Sequence, residues 1–113
     1  MRELDVSELQ PLAAQAAAAG APLLLLDVRE PWEVELAALE LPQAETRCIP
    51  MGSLVQRLAE LDPAQPVVCV CHHGVRSAHV AHFLQRQGHA SVYNLSGGID
   101  AWSTQVDPAV ARY

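Results

Sequence analysis

The chain has no lysine, few aromatic side chains and no long apolar run. Seven arginines carry all of its fixed positive charge against thirteen acids, a formal net charge of −6. They fall singly, at Arg2, Arg29, Arg47, Arg57, Arg76, Arg86 and Arg112. No basic face is available to neutralise a phosphate backbone, so nucleic acid is not an expected partner. Apolar runs such as Leu23–Leu26 fall far short of the roughly 20 residues that span a bilayer. Glu3 and Asp5 sit where a signal peptide needs a basic flank and an apolar stretch. The expectation is a cytoplasmic protein with no membrane partner.

Cysteine is also scarce, with Cys48, Cys69 and Cys71 alone. An odd number in a short chain does not make a disulfide framework, and Cys69 and Cys71 are too close along one strand to bridge without strain. Cys69, Cys71, His72 and His73 lack the paired two-residue spacings of zinc modules, so no metal is expected. Cys69 and Cys48, each inside a strand pattern, read as small buried apolar residues.

What is present is a single domain of 113 residues, half of them apolar and 18% charged, a length that buries about 65% of the unfolded chain's surface. Short β-rich runs alternate with stretches of helical spacing. Ser7 with Gln10 reads as a capping box opening an Ala-rich helix that Gly20 and Pro22 close. Leu23–Leu26 is a buried strand, a short helix follows Pro31, and Arg47–Ile49 is a third strand. Residues 53–61 carry a helical stripe of Leu54, Val55, Leu58 and Leu61. Val67–Val70 is apolar at every position, as a central parallel strand requires. A helix over 75–87, a strand over 91–94 and a short helix over 98–102 complete the pattern, with residues 4–6 as an added strand. This alternation predicts an α/β fold, three-layered, with a central parallel sheet of about five strands flanked by helices on both faces. Ligands of such sheets bind beyond the carboxyl ends of strands.

One segment meets that condition with chemistry attached: Cys71-His72-His73-Gly74-Val75-Arg76-Ser77. It joins the central strand directly to a helix. A tight loop in that position turns successive N–H groups inward as an anion-binding nest, with Cys71 at its mouth. A thiolate there is stabilised. Gly74 supplies the backbone freedom of the turn, and Arg76 a planar fork able to hold an oxyanion. The residues describe a nucleophilic sulfur facing a small anion.

Four segments in register resemble the single-domain rhodaneses, a sulfurtransferase family. They are Leu25-Leu26-Asp27-Val28-Arg29-Glu30-Pro31, then Ile49-Pro50-Met51, then the 71–77 loop, then residues 94–102, Asn-Leu-Ser-Gly-Gly-Ile-Asp-Ala-Trp. The likeness spans about residues 4–103, leaving 104–113 as a tail that wraps the surface or contacts a partner. Rhodanese-like chains commonly carry Gly-His-Ile-Pro-Gly-Ala between the first two segments; here residues 39–44 read Leu-Glu-Leu-Pro-Gln-Ala, keeping only the Pro and the Ala.

The resemblance implies a persulfide relay with no cofactor. Cys71 would take a sulfane sulfur from a small anionic donor such as thiosulfate and pass it to a thiol or cyanide acceptor. The N–H groups of residues 72–77 would stabilise thiolate and persulfide, and Arg76 would orient the donor's sulfonate. His72 and His73 would either bind substrate or stand by. Asp27 and Arg29 would brace the active loop from behind, with Gly97 and Gly98 bringing a turn against it. Trp102 would be core; Trp32 fits either core or rim. Two other readings use the same residues. A phosphatase or arsenate reductase of this fold needs five residues between Cys and Arg, where this chain has the four from His72 to Val75. A non-catalytic rhodanese-like module typically lacks the nucleophile, which this chain keeps.

Overall fold

Every side chain of Val67–Val70 is apolar because the strand has a neighbour on each edge and helices on each face. The computed structural model describes residues 1–113 and contains five strands: β1 (Arg2–Leu4), β2 (Leu24–Asp27), β3 (Glu45–Cys48), β4 (Val67–Val70) and β5 (Val92–Leu95). They form one parallel sheet in the order β1-β5-β4-β2-β3. The helices are α1 (Val6–Ala18), α2 (Pro31–Leu36), α3 (Leu54–Arg57), α4 (Val75–Arg86) and α5 (Gly98–Gln105).

The two-residue period of a strand sends alternate side chains to opposite faces, and here both faces are apolar. Leu25, Val68, Val70 and Leu95 join Val6, Leu9 and Ala13 of α1 and Ile99 and Trp102 of α5 in one cluster. Leu24, Leu26, Val67, Cys69 and Val92 join Leu54 of α3 and Val80, Ala81 and Leu84 of α4 in another. Each buried Leu or Val removes enough apolar surface to contribute roughly 1.5–3 kcal/mol. The expected three-layer α/β fold is the observed one.

Several local expectations need correction. The box opening α1 lies at Asp5 and Glu8, not at Ser7 and Gln10. The Asp5 carboxylate accepts from the Ser7 N–H at 2.9 Å, and the Glu8 carboxylate accepts from the Asp5 N–H at 2.9 Å. That claim on Asp5 ends β1 at Leu4. The stripe over 53–61 is not one helix: a single α-turn, α3, stands between 3-10 turns at Met51–Ser53 and Leu58–Glu60. Leu54 and Leu61 are buried, whereas Val55 is exposed. Cys48 is exposed rather than buried, because β3 is an edge strand paired only with β2.

The strand order positions the site. From β2 the chain moves outward to β3, and from β4 it moves the other way to β5. The connections leaving the carboxyl ends of β2 and β4 therefore diverge, opening a crevice where such sheets bind ligands. Val28, just past β2, donates its N–H to the Val70 carbonyl at 3.0 Å, so the Asp27–Arg29 segment and the Cys71 loop leave the sheet side by side.

Candidate active site

Cys71 follows β4 immediately, and its sulfur lies inside the turn that begins α4. The Sγ accepts the Gly74 N–H at 3.1 Å and the Ser77 N–H at 3.3 Å, with Ser77 Oγ at 3.2 Å. Two of the loop's N–H groups, three residues apart rather than successive as the sequence led us to expect, thus turn inward on this sulfur at a helix end. Cys71 and Ser77 are both buried. Gly74 makes the turn possible: its φ is +99°, and a side chain there would press against the Leu95 carbonyl and the Gly97 N–H.

The other side of the loop is held by α5. The Ile99 and Asp100 N–H groups donate to the Cys71 and His72 carbonyls at 2.9 and 3.1 Å. Two carbonyls that would otherwise lie unsatisfied are thereby paired, on the side of the loop away from the Gly74 and Ser77 N–H groups that reach the sulfur. Gly98 permits this approach; a Cβ on it would fall 2.4 Å from the Cys71 carbonyl oxygen. The turn at Gly97 and Gly98 is where the sequence reading puts it.

Arg76 points elsewhere than expected. Its fork is closed on the carboxylate of Glu33 in α2, with bonds of 2.6 and 2.9 Å. Glu33 is buried, and these bonds hold its carboxyl down at about 2, burial acting in the opposite direction; the same pairing holds Arg76 charged far above any working pH. The Glu33 carboxylate also accepts from the Tyr113 hydroxyl at 2.7 Å and the Glu30 N–H at 3.1 Å.

Arg29 is fully buried. It donates to Asp27 at 2.9 and 2.7 Å, to the Ala37 carbonyl at 2.6 Å and to Tyr113 Oη at 2.9 Å. Burial opposes its charge, but the bonds to Asp27 and Tyr113 raise its affinity for the proton above the ordinary arginine value. Asp27, Arg29, Tyr113, Glu33 and Arg76 form one continuous polar chain from the end of β2 to the first turn of α4. Both arginines are thus paired with carboxylates, and the unpaired positive ends left at the loop are those of backbone N–H dipoles.

His72 is sandwiched between His73 and Tyr113, with ring centroids 3.9 and 3.8 Å away. Burial lowers its affinity for a proton, and His73 adds to that effect. His73 and Val75 are exposed on the loop's outer side, and Trp32 lies edge-on to Tyr113 at the exposed rim; Trp102 is core. His72, His73 and Asp100 bring one potential metal-ligating atom each within 4.8 Å of one another. The Asp100 carboxylate is also paired with Arg112 at 3.0 Å, and the two imidazoles stack on one another.

Sequence reasoning missed Glu33, Asn94 as a polar contact, and Tyr113. Asn94 is buried and its side-chain oxygen lies 2.5 Å from Ser77 Oγ. Glu33 had one available signal, an acid three residues after Glu30 at the start of a helix led by Pro31. Tyr113 had none, since its contact arises when the tail folds back, with Val110 and Tyr113 packed on the core.

A model of the rhodanese-like domain family matches residues 9–105. The chain is 41% identical over 93 residues to the chloroplastic rhodanese-like/PpiC domain-containing protein 12 of Arabidopsis thaliana, covering 79% of this chain but only 30% of that protein's length. It is 34% identical over 99 residues to the thiosulfate sulfurtransferase GlpE of Vibrio cholerae, covering 88% of this chain and 85% of that one. Among solved structures, a rhodanese-related protein from Thermoplasma volcanium superposes with a TM-score of 0.75 at 26% identity, covering both chains completely.

Proposed function

The chain belongs to the rhodanese-like domain family, and from that premise we propose that it is a sulfurtransferase working through a persulfide on Cys71. The supporting observation is the sulfur itself, at the end of the central strand, accepting two N–H bonds inside a loop that opens a helix.

The thiolate of Cys71 attacks the outer sulfur of an anionic donor such as thiosulfate. The donor's S–S bond breaks, its electron pair leaves with sulfite, and the sulfane sulfur stays as a cysteine persulfide. An acceptor thiolate or cyanide then attacks that outer sulfur, and the Cys71 thiolate departs as the leaving group. Charge moves outward by one atom on loading and back on transfer, facing fixed dipoles that need no reorganisation.

His72, His73, Gly74, Val75, Arg76 and Ser77 line the loop that receives the donor, with Asp27 and Arg29 bracing it. Arg76 acts here through Glu33, fixing the first turn of α4, rather than as a free fork for the sulfonate. The partners of this reading are a small anionic sulfur donor and a small-molecule or protein thiol. Three free cysteines suit a reducing cytoplasm, and no helix is long and apolar enough to cross a membrane.

Mass spectrometry after incubation with thiosulfate tests the proposal. One added sulfur atom on the peptide containing Cys71, absent in Cys71→Ser, is the expected result. An unmodified wild-type mass across a panel of sulfane donors would favour the binding-module reading. Turnover of p-nitrophenyl phosphate blocked by Cys71→Ser would favour a phosphatase.

A further inference from the structure

Behind the sulfur runs a hydrogen-bond chain with a fixed direction. The Asn94 Nδ2 donates to the Glu3 carboxylate at 2.9 and 3.1 Å and to the Gly74 carbonyl at 3.1 Å. Both of its hydrogens are therefore committed to oxygen atoms that can only accept. Turning the amide over would set its oxygen against a carboxylate and a carbonyl, so the orientation is dictated by its neighbours. Asn94 Oδ1 consequently faces Ser77 Oγ, 2.5 Å away, and must accept from it.

A serine hydroxyl has one hydrogen. Given to Asn94, it is not available to the sulfur 3.2 Å from the same oxygen. Ser77 thus presents a lone pair to Cys71, suited to an S–H donor and unsuited to a thiolate. The two N–H groups from Gly74 and Ser77 favour the anion, and this chain opposes them.

We propose that Asn94, anchored by Glu3, is a positioning residue that holds the Ser77 hydroxyl turned away from Cys71 and so restrains ionisation of the free thiol. The proposal rests on the reading that Cys71 is the nucleophile and adds what sets its readiness. In the persulfide the charge lies on the outer sulfur, so the turned hydroxyl no longer opposes it. The chain then disfavours the unloaded thiolate relative to the loaded form.

The charged and titratable groups around the sulfur are Cys69 on β4, His72 and His73 in the loop, and Arg76 with its partner Glu33. Beyond them lie Asp27 at the end of β2, Arg29 just past it, Asp100 on α5 and Glu3 on β1. None makes a hydrogen bond to Sγ, and none is altered in the variants below.

The test is the pH profile of Cys71 alkylation by iodoacetamide, resolved by peptide mass spectrometry so that exposed Cys48 is scored apart. Asn94→Leu frees the hydroxyl to turn toward sulfur. On the acid limb its rate should rise about two- to tenfold, the range spanned by one neutral hydrogen bond, with the alkaline plateau unchanged. Ser77→Ala, which removes the opposing lone pair and keeps the fold if the leucine is not tolerated, should shift the profile to lower pH as well. A hydroxyl that donated to the thiolate would give the reverse shift. Asn94→Leu added to Ser77→Ala should change nothing further.

A Ser77→Ala profile moved to higher pH, an Asn94→Leu profile superimposed on wild type, or an undiminished Asn94 effect without the serine would each overturn the proposal. Alkylation needs no sulfur donor, so failure of sulfur loading in a protein that shows these shifts would remove the sulfurtransferase reading and leave the relay standing.

Discussion

Arg76 and Glu33 meet fork to fork, with bonds of 2.6 and 2.9 Å between the first turn of α4 and the middle of α2. The carboxylate side is the buried one: its side chain is 5% exposed against 33% for the arginine. Losing Arg76 therefore strands a buried charge, while losing Glu33 leaves a cation that water can reach. In urea unfolding, Arg76→Ala should cost about 3 kcal/mol and Glu33→Gln less. The double variant should cost clearly less than the sum, by at least about 1 kcal/mol. Strict additivity would mean that the pair does not tie the loop to α2.

The same pair shapes the acid limb of stability. Glu33 titrates near 4.5 when unfolded and at about 2 in the fold. A depressed carboxyl contributes stability that is complete above the unfolded value and is lost as pH falls through the folded one. Unfolding free energy should thus carry a slope between about pH 4.5 and 2 that Glu33→Gln lacks, worth on the order of 3 kcal/mol in total. Parallel acid profiles for the two proteins would contradict the assignment.

The sheet and the 71–77 loop were legible in the sequence because each is written locally. Val67–Val70 is apolar on both faces, which only a central strand tolerates, and Cys71 to Ser77 carries its glycine, its cysteine and its helix start within seven consecutive residues. What escaped depends on residues far apart in sequence. Arg76 looked like an anion fork because nothing near it in the chain names Glu33, 43 residues earlier. Asn94 looked like a strand residue because its role is fixed by Glu3, 91 positions away. Cys48 was misplaced because burial of a strand residue depends on strand order, which local pattern does not encode.

Gly98 should be intolerant of even one added methyl. Its φ is +58°, and a Cβ would lie 2.4 and 2.5 Å from the Cys71 and His72 carbonyl oxygens. These are backbone atoms of the 71–77 loop, so they cannot rotate aside. Gly98→Ala should destabilise the protein by about 2–4 kcal/mol and, in the fraction that still folds, alter Cys71 alkylation. Thermal melting and alkylation rates check both parts. A variant with wild-type melting and reactivity would show that the loop and α5 are not in contact in solution.

His72 and Tyr113 form the last testable pair, their rings 3.8 Å apart and only 8° from parallel. The stack covers the imidazole, and the resulting burial, reinforced by His73, depresses its protonation below the ordinary value of 6.5. For a histidine the sign is the reverse of the usual gained partner. The unfolded chain binds the proton more readily, so stability is whole above about 6.5 and declines as pH falls below it. Tyr113→Ala uncovers the ring. In NMR titrations the His72 resonance should move toward the ordinary value in that variant, and the loss of stability on acidification from pH 7 to 5 should become shallower. Tyr113 also receives Arg29 and donates to Glu33 through its hydroxyl, so Tyr113→Phe serves as the control: it removes those two bonds, keeps the stack, and should leave the His72 titration where it is in wild type. A His72 titration that shifts as far with phenylalanine as with alanine would locate its cause in the polar chain and not in the cover provided by the ring.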